Sequence, residues 1–536
     1  MWCCGSIAAV KSQSQFVYKG ESDELVPKAV NHVFIHPSAT KICHNAFREC
    51  TELESVIFPE NGAINTIQSS AFHGCYNLQV VKLPNSVTAI GDRAFKGCAN
   101  LSSIDLLHSQ CSIGNSAFQG CTGLSEIKLP ASLKEIKKKV FGECRNLSRI
   151  QLPDGLECIE ACAFRGCKIT TLVLPESVSN IGNQAFEGCE FLTSITLPKK
   201  ITSIGDSAFE GCIRLSSISL PRSISHIGDG TFCKSGLTLF AIPNSVQTIG
   251  KYAFYKCPAL LSATFEASSV KSIGHSAFYG TGLESITLPE SITKVGHSTF
   301  EGCVGLTSAT LPKHLVQIER STFKGCTSLE TLVLPSQIAR IENDAFSECS
   351  SLRLVTFRED IIFSNKGIVS DSENEKNELS RRDMDGMRLP SSLFSIGSNA
   401  FSGCTALVST ELPKSVSVLE SEIFAECEGL ISVKLPDCVT SIEEGAFRNC
   451  TSLQHIKLPD SIRNIGDCAF QGAESIKSIR LPKHLSCMGH SVFSDCTELE
   501  TVESVVPDFE HYITLQSITT IERRTFAGCF SLGTVR

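Results

Sequence analysis

Apolar residues along this chain recur as a repeated phrase, not as a helical or strand rhythm sustained over long windows. The phrase reads L-P-x-S-V-x-x-I-G-x-x-A-F-x-G-C-x-x-L-x-x-I, and its phenylalanine marks each copy. It falls at Phe47, Phe72, Phe95, Phe118, Phe141, Phe164, Phe186, Phe209, Phe232, Phe254, Phe278, Phe300, Phe323, Phe346, Phe401, Phe424, Phe447, Phe470, Phe493 and Phe526, twenty copies in all. Most intervals are 22, 23 or 24 residues; the exceptions are 25 (47 to 72), 55 (346 to 401) and 33 (493 to 526). A period this strict predicts a stack in which each unit contacts mainly its neighbours.

One unit can be read residue by residue. Leu124, Ile127 and Leu129 followed by Pro130 span too few positions for a helix. They predict a strand ending at a residue that cannot donate to a ladder. Parallel strands from successive units would stack about 4.8 Å apart, so twenty give a sheet on the order of 95 Å long. Leu133 and Ile136 point inward again on the way round. In the A-F-x-G-C stretch the ring fills the wide end of the coil, and Gly120 permits a tight turn. That stretch is too brief for a stable helix, and a short helical or 3-10 turn is expected there. The fold expected is an α/β solenoid of about 20 repeats of ~23 residues. Its longer strands form a parallel sheet, with short strands and helical or 3-10 turns on the way round.

The organisation that follows is a tail or cap over 1–31, repeats over 32–357, a charged insertion over 358–388, and repeats resuming over 389–536. The 55-residue interval holds about 32 extra residues, and 371–385 (DSENEKNELSRRDMD) carries nine charges in fifteen positions. Such a stretch buries too little surface to order itself, so it reads as a removable surface loop. A smaller insert lies around 503–515, with no chemistry in it. The chain stops inside what should be a strand, at Leu532-x-x-Val535. An exposed edge strand is a template for pairing, so end-to-end association is one expectation and truncation the other.

The motif L-P-x-S-V-x-x-I-G-x-x-A-F-x-G-C resembles the leucine-rich repeats of the BspA-like, or Treponema pallidum, type, over about residues 32–536. The resemblance implies a right-handed superhelix with a parallel concave sheet. It also implies a role in binding other macromolecules; bacterial members are often surface adhesins.

Composition narrows the reading. A formal net charge of −8 argues against wholesale nucleic-acid binding. No run of eighteen apolar residues predicts a transmembrane helix. The start, MWCCGSIAAV, lacks the basic region of a signal peptide; Cys3 and Cys4 are candidates for palmitate only if the chain works at a membrane. Of 27 cysteines, seventeen sit three residues after a repeat phenylalanine, and Ser235, Thr281 and Ala473 hold that slot in the other units. Small residues interchange there, so the slot reads as needing size more than sulfur chemistry. The stacking distance does not suit disulfides. Buried free thiols favour a reducing, cytoplasmic setting, with the cell surface or secretion as the alternative. Asn100, Asn146 and Asn449 begin N-x-S/T sequons, which matter only in a secreted chain.

Other chemistry is sparse. Paired C-x2-C zinc ligands are missing outside the tail, no HExxH, GxSxG or kinase set occurs, and neither an enzyme, a metal nor a cofactor is expected. Gly228 to Ser235 (GDGTFCKS) only loosely resembles a phosphate loop. His275 and His297 hold the same slot in adjacent units, an incomplete metal pair. The outward strand positions lie seven, eight and ten residues after the phenylalanine. Many carry small hydroxyls, such as Thr193, Ser194 and Thr196 or Thr307, Ser308 and Thr310; a regular threonine array would suit an ice or mineral surface, and the serines weaken that reading. Cations occupy the last of these positions at Lys434, Lys457 and Arg480, with His455 and Lys477 beside them, and the nearest outward acids are Glu411 and Glu500. This row is the candidate binding site, for a protein or an acidic polymer. The function expected is a non-enzymatic interaction scaffold, with a cell-surface adhesin of the same fold as the alternative.

Overall fold

The structure is a computed structural model and describes residues 14–60, 62–106, 111–266, 269–357, 386–504 and 524–535. The chain divides into two compact units, Met1–Leu237 and Thr238–Arg536. Both are built from the same coil of two strands joined by turns.

In the first unit the longer strands Gln15–Tyr18, His32–Ile35, Ser55–Ile57, Val80–Lys82 and Ser103–Asp105 form one parallel sheet. The two-residue strands Lys41–Ile42, Thr66–Ile67, Ala89–Ile90 and Ser112–Ile113 form a second. Register follows the repeat: Ile127 lies opposite Ile150, and Ile67 opposite Ile90. In the second unit the long-strand sheet runs through eight strands from Ser285–Thr287 to His455–Ile456. Residues 358–385 lie outside the described residues, so the expected loop at 371–385 is not addressed. The coil resumes across that interval, with Val355 opposite Met387 and Ile341 opposite Ile396. Strand Thr501–Ser504 likewise pairs with Thr534–Val535.

Each inward strand residue alternates with outward ones, as in Ser194–Thr196, where only Ile195 is buried. The repeat phenylalanines form a spine. In the first unit Phe186 and Phe209 stack at 5.5 Å with planes 1° apart. In the second, Phe346 and Phe401 stack at 5.3 Å although 55 residues separate them. Tyr18 is fully buried against Phe47. Burial of an aromatic ring removes 150–250 Å² from water, so this column dominates the apolar stabilisation.

The expected helical or 3-10 turn does not form: no helix of either kind occurs among the described residues. The reason lies in the backbone. Two residues per coil sit in the left-handed region, for example Ser116 (φ 56°) and Gly120 (φ 74°). Around them every second N–H turns out of its own coil. Ser116 N–H donates to Lys138 O (2.8 Å), Phe118 N–H to Val140 O (3.0 Å) and Gly120 N–H to Gly142 O (2.9 Å). The remaining N–H groups close local turns, as Cys121 N–H does on Phe118 O (3.1 Å). The turn face is thus a third ladder between coils, and its buried backbone groups are satisfied. The glycine ahead of it serves a different need: a Cβ on Gly205 would lie 2.4 Å from Asn183 N.

Candidate functional site

One outward row of the long-strand sheet carries side chains that serve the stack. Thr193 donates its hydroxyl to Thr170 O (3.0 Å), and Thr307 to Glu284 O (2.9 Å). In that row the hydroxyls are committed to the preceding coil. A break in this pattern lies in the second unit. There a trough of about 790 Å³ opens on the long-strand face. Gly386, Ser409, Ser432 and Ser478 keep its floor low, and Lys434, His455, Lys457, Glu411 and Asp437 stand around it. Register places His455 opposite Ser432, and Lys434 opposite Glu411.

Three of the five expected site residues, Lys434, His455 and Lys457, line the trough; Lys477 and Arg480 do not, although Ser478 between them does. Acids neutralise part of this row, and not only from the outward positions. Lys434 Nζ meets Glu411 at 2.6 Å, Arg480 meets Asp460 at 3.5 Å, and Lys477 meets Glu498 at 4.0 Å. Asp460 also accepts the Lys483 backbone N–H (3.2 Å). That bond first, and then the charges of Arg480 and Lys483, hold its carboxyl below the ordinary range. Glu503 stands in register opposite Arg480, a further acid beside the row. Asp460 and Glu498 occupy turns, not outward strand slots, which is why a slot-by-slot reading missed them. Lys457 and His455 form no ion pair among the described residues. Asp437 and Gln454 were also missed as lining residues; projecting the turn after Pro436 onto the rim would have found the first.

The other candidates resolve into structural roles. Of the seventeen phased cysteines, sixteen are buried and Cys529 is half-buried, and all are free thiols. Where it holds cysteine, the slot also makes a hydrogen bond. Cys144 Sγ donates to Phe118 O (3.1 Å), Cys326 to Phe300 O (3.1 Å), and the bond repeats up each unit. Burial pushes the Cys144 thiol up to about 12, so it keeps its proton and remains a donor. Thr281 places a hydroxyl donor in the same slot, but it bonds Phe278 O of its own coil at 2.9 Å. The serine of L-P-x-S also donates backward: Ser177 reaches Asp154 O (2.7 Å), and Cys438 replaces it with Sγ 2.9 Å from Lys414 O.

His275 and His297 stack at 3.9 Å. Their slot accepts a backbone N–H from the next coil. His297 N–H donates to His275 Nδ1 (3.2 Å), as Asn115 N–H does to Asp92 Oδ1 (2.7 Å) and His490 N–H to Asp467 Oδ1 (2.7 Å). Desolvation, then the charges of His297, Lys251 and Lys294, lower the His275 pKa and keep Nδ1 an acceptor. No group of three or more metal-ligating side chains occurs among the described residues. Gly228 to Ser235 is an ordinary repeat turn, with Thr231 Oγ1 bonded to Gly228 O (3.0 Å). The sequon asparagines serve as donors between coils: Asn146 to Thr122 O (2.7 Å), and Asn449 to Glu426 Oε1 (2.9 Å). No helix among the described residues is long and apolar enough to cross a membrane.

No curated protein matches the chain significantly. Among solved structures, a leucine-rich repeat protein from Bacteroides ovatus is 28% identical, covering 78% of this chain and 83% of its own, with a TM-score of 0.47. A leucine-rich cell surface protein from Faecalibacterium prausnitzii is 22% identical, with coverage of 67% and 91% and a TM-score of 0.37. The T. pallidum leucine-rich repeat protein is 29% identical, with coverage of 36% and 78% and a TM-score of 0.29. The family described as BspA type leucine rich repeat region (6 copies) matches residues 28–148, 134–261, 247–376 and 372–500. The chain belongs to the BspA-type leucine-rich-repeat family.

Proposed function

We propose that this protein is an interaction scaffold whose second unit holds an acidic protein segment in the trough on its long-strand face. The observation that carries the reading is His455 beside Lys457. His455 interrupts a row that otherwise reads Ser409, Ser432 and Ser478, so the stack does not require it. Lys457 lacks an ion-pair partner among the described residues, whereas Lys434 and Arg480 have theirs. A carboxylate entering the trough would meet Lys457 without displacing an existing pair. It could also exchange with Glu411 for Lys434, since exposed pairs of that kind contribute only about 0–1 kcal/mol.

The test is a titration of the full chain with a fluorescein-labelled poly-glutamate peptide. Lys457→Glu combined with His455→Ser should weaken binding about tenfold or more, and rising salt should weaken it further. A control with Lys82→Glu, Lys128→Glu and Arg149→Glu, in the first unit, should bind like wild type. Equal binding by all three proteins would remove the trough from the account.

A further inference from the structure

The turn face of the second unit, formed by the G-x-x-A-F-x-G segments, carries residues that the coil does not need. Tyr255 and Tyr279 hold the position after the phenylalanine in adjacent coils and stack at 4.7 Å. Tyr252 meets Tyr255 edge-on at 5.6 Å, and Lys256 Nζ lies 5.3 Å from the Tyr255 ring centre. Tyr252 is 46% exposed. Three of the chain's six tyrosines thus form one ledge. Elsewhere the slot of Tyr255 and Tyr279 holds Gln119, Ser402, Ala425 or Gln471, so folding sets no demand for tyrosine. The segments GKYAFYK and GHSAFYG themselves contain no carboxylate; Glu301 takes the tyrosine slot in the next coil. Pre-stacked tyrosines lose little entropy on contact and are among the residues that dominate interfaces.

The same face changes sign along the unit. Around Arg320, Lys324, Asp344 and Glu348 both charges occur and pair with one another at 3.5–3.8 Å. Further on, the segments ESEIFAE and EEGAF place Glu420, Glu422, Glu426, Glu443 and Glu444 on two adjacent coils. Arg448 engages Glu422 at 2.8 Å and Glu426 at 3.8 Å. Glu420 and Glu444 form no ion pair among the described residues, and Glu444 is exposed. Five coil steps separate the Tyr279 coil of the ledge from the first of these acidic coils, roughly 24 Å at strand spacing.

We propose that the turn face of this unit binds a second copy of the chain, antiparallel, with the tyrosine ledge of each copy against the glutamate coils of the other. A gradient from cationic-aromatic through balanced to acidic is complementary to itself when one copy is reversed. A two-fold axis through the balanced middle satisfies both ends at once, so the pairing closes and does not propagate. A face about 40 Å by 20 Å would bury on the order of 800 Å² per copy, the size of a standard stable interface. The surface is distinct from the trough, so the two proposals stand or fall separately.

Sedimentation equilibrium of the full chain over about 1–100 µM tests the pairing in a typical affinity range. Wild type should show a monomer–dimer equilibrium. Tyr255→Gln with Tyr279→Gln should weaken it about tenfold or more, as loss of a hot-spot pair does. Lys256→Glu alone and Glu444→Lys alone should each weaken it about tenfold. Both introduced residues already occur in those slots, at Glu143 and Lys138, so the coils should fold; unchanged circular dichroism and thiol protection check this. An equimolar mixture of the two charge variants should recover most of the dimer, because one junction then regains opposite charges and the other is wild type. A wild type that stays monomeric across the range, or a dimer indifferent to the tyrosine and charge variants, overturns the proposal. Failure of the mixture to recover overturns the antiparallel arrangement.

Discussion

Replacing Thr410 by valine should stabilise the protein. Thr410 occupies the inward position of strand Ser409–Glu411 and is 5% exposed. Its neighbours in register are Met387 and Val433, and its Oγ1 has no hydrogen-bond partner among the described residues. A buried hydroxyl without a partner costs about 1–3 kcal/mol in protein mutational series. Valine keeps the β-branched shape that suits a strand, and adds the burial of one methyl, about 0.8 kcal/mol. Valine already fills the equivalent site at Val433 and Val502, so overpacking is not expected. Taken at the low end of these two terms, the net gain should be about 1–2 kcal/mol. A stack of repeats need not unfold in one step, so the gain is best read locally. Amide hydrogen exchange at Met387, Thr410 and Val433 should slow by about tenfold, which corresponds to 1.4 kcal/mol. The urea midpoint should rise or hold. Faster exchange at these amides, or a lower midpoint, would show that the hydroxyl is satisfied and refute the reasoning.

Cys144→Ala removes buried volume and the S–H bond to Phe118 O, and should cost about 1–2 kcal/mol in urea unfolding. Cys144→Ser should recover part of that loss through a hydroxyl donor; a serine variant less stable than the alanine one would argue against the bond. In a native thiol titration Cys438 and Cys487, both exposed, should react first, and the sixteen buried phased thiols only in denaturant; extensive early reaction would contradict the burial. Because the folded His275 pKa lies below its unfolded value, the unfolded chain binds the extra proton. Stability should therefore fall as pH drops through the ordinary histidine range toward the lower folded value. His275→Asn, the residue of the same slot at Asn115 and Asn183, should flatten that part of the stability–pH curve; an unchanged slope would assign it to other groups.

The period alone determined much of this protein. In a stack, the neighbour of each slot is the same slot one coil away. Spacing in the sequence therefore translates directly into the phenylalanine spine, the inward strand positions and the facing of Lys434 by Glu411 and of His455 by Ser432. The burial of the phased cysteines and the left-handed Gly120 were legible for the same reason. The conformation of the A-F-x-G-C segment was not. It depends on where each N–H points, and short-range propensity cannot see that the next coil offers carbonyls at that height. The candidate site was legible in part. Lys457 and His455 stood out as departures from the repeat, but the neutralising acids Asp460 and Glu498 lie in turns and reach the row sideways. Slot arithmetic describes what is stacked above and below a residue; only the three-dimensional path of the turns decides what lies beside it, because that depends on side-chain reach across the coil and not on the repeat.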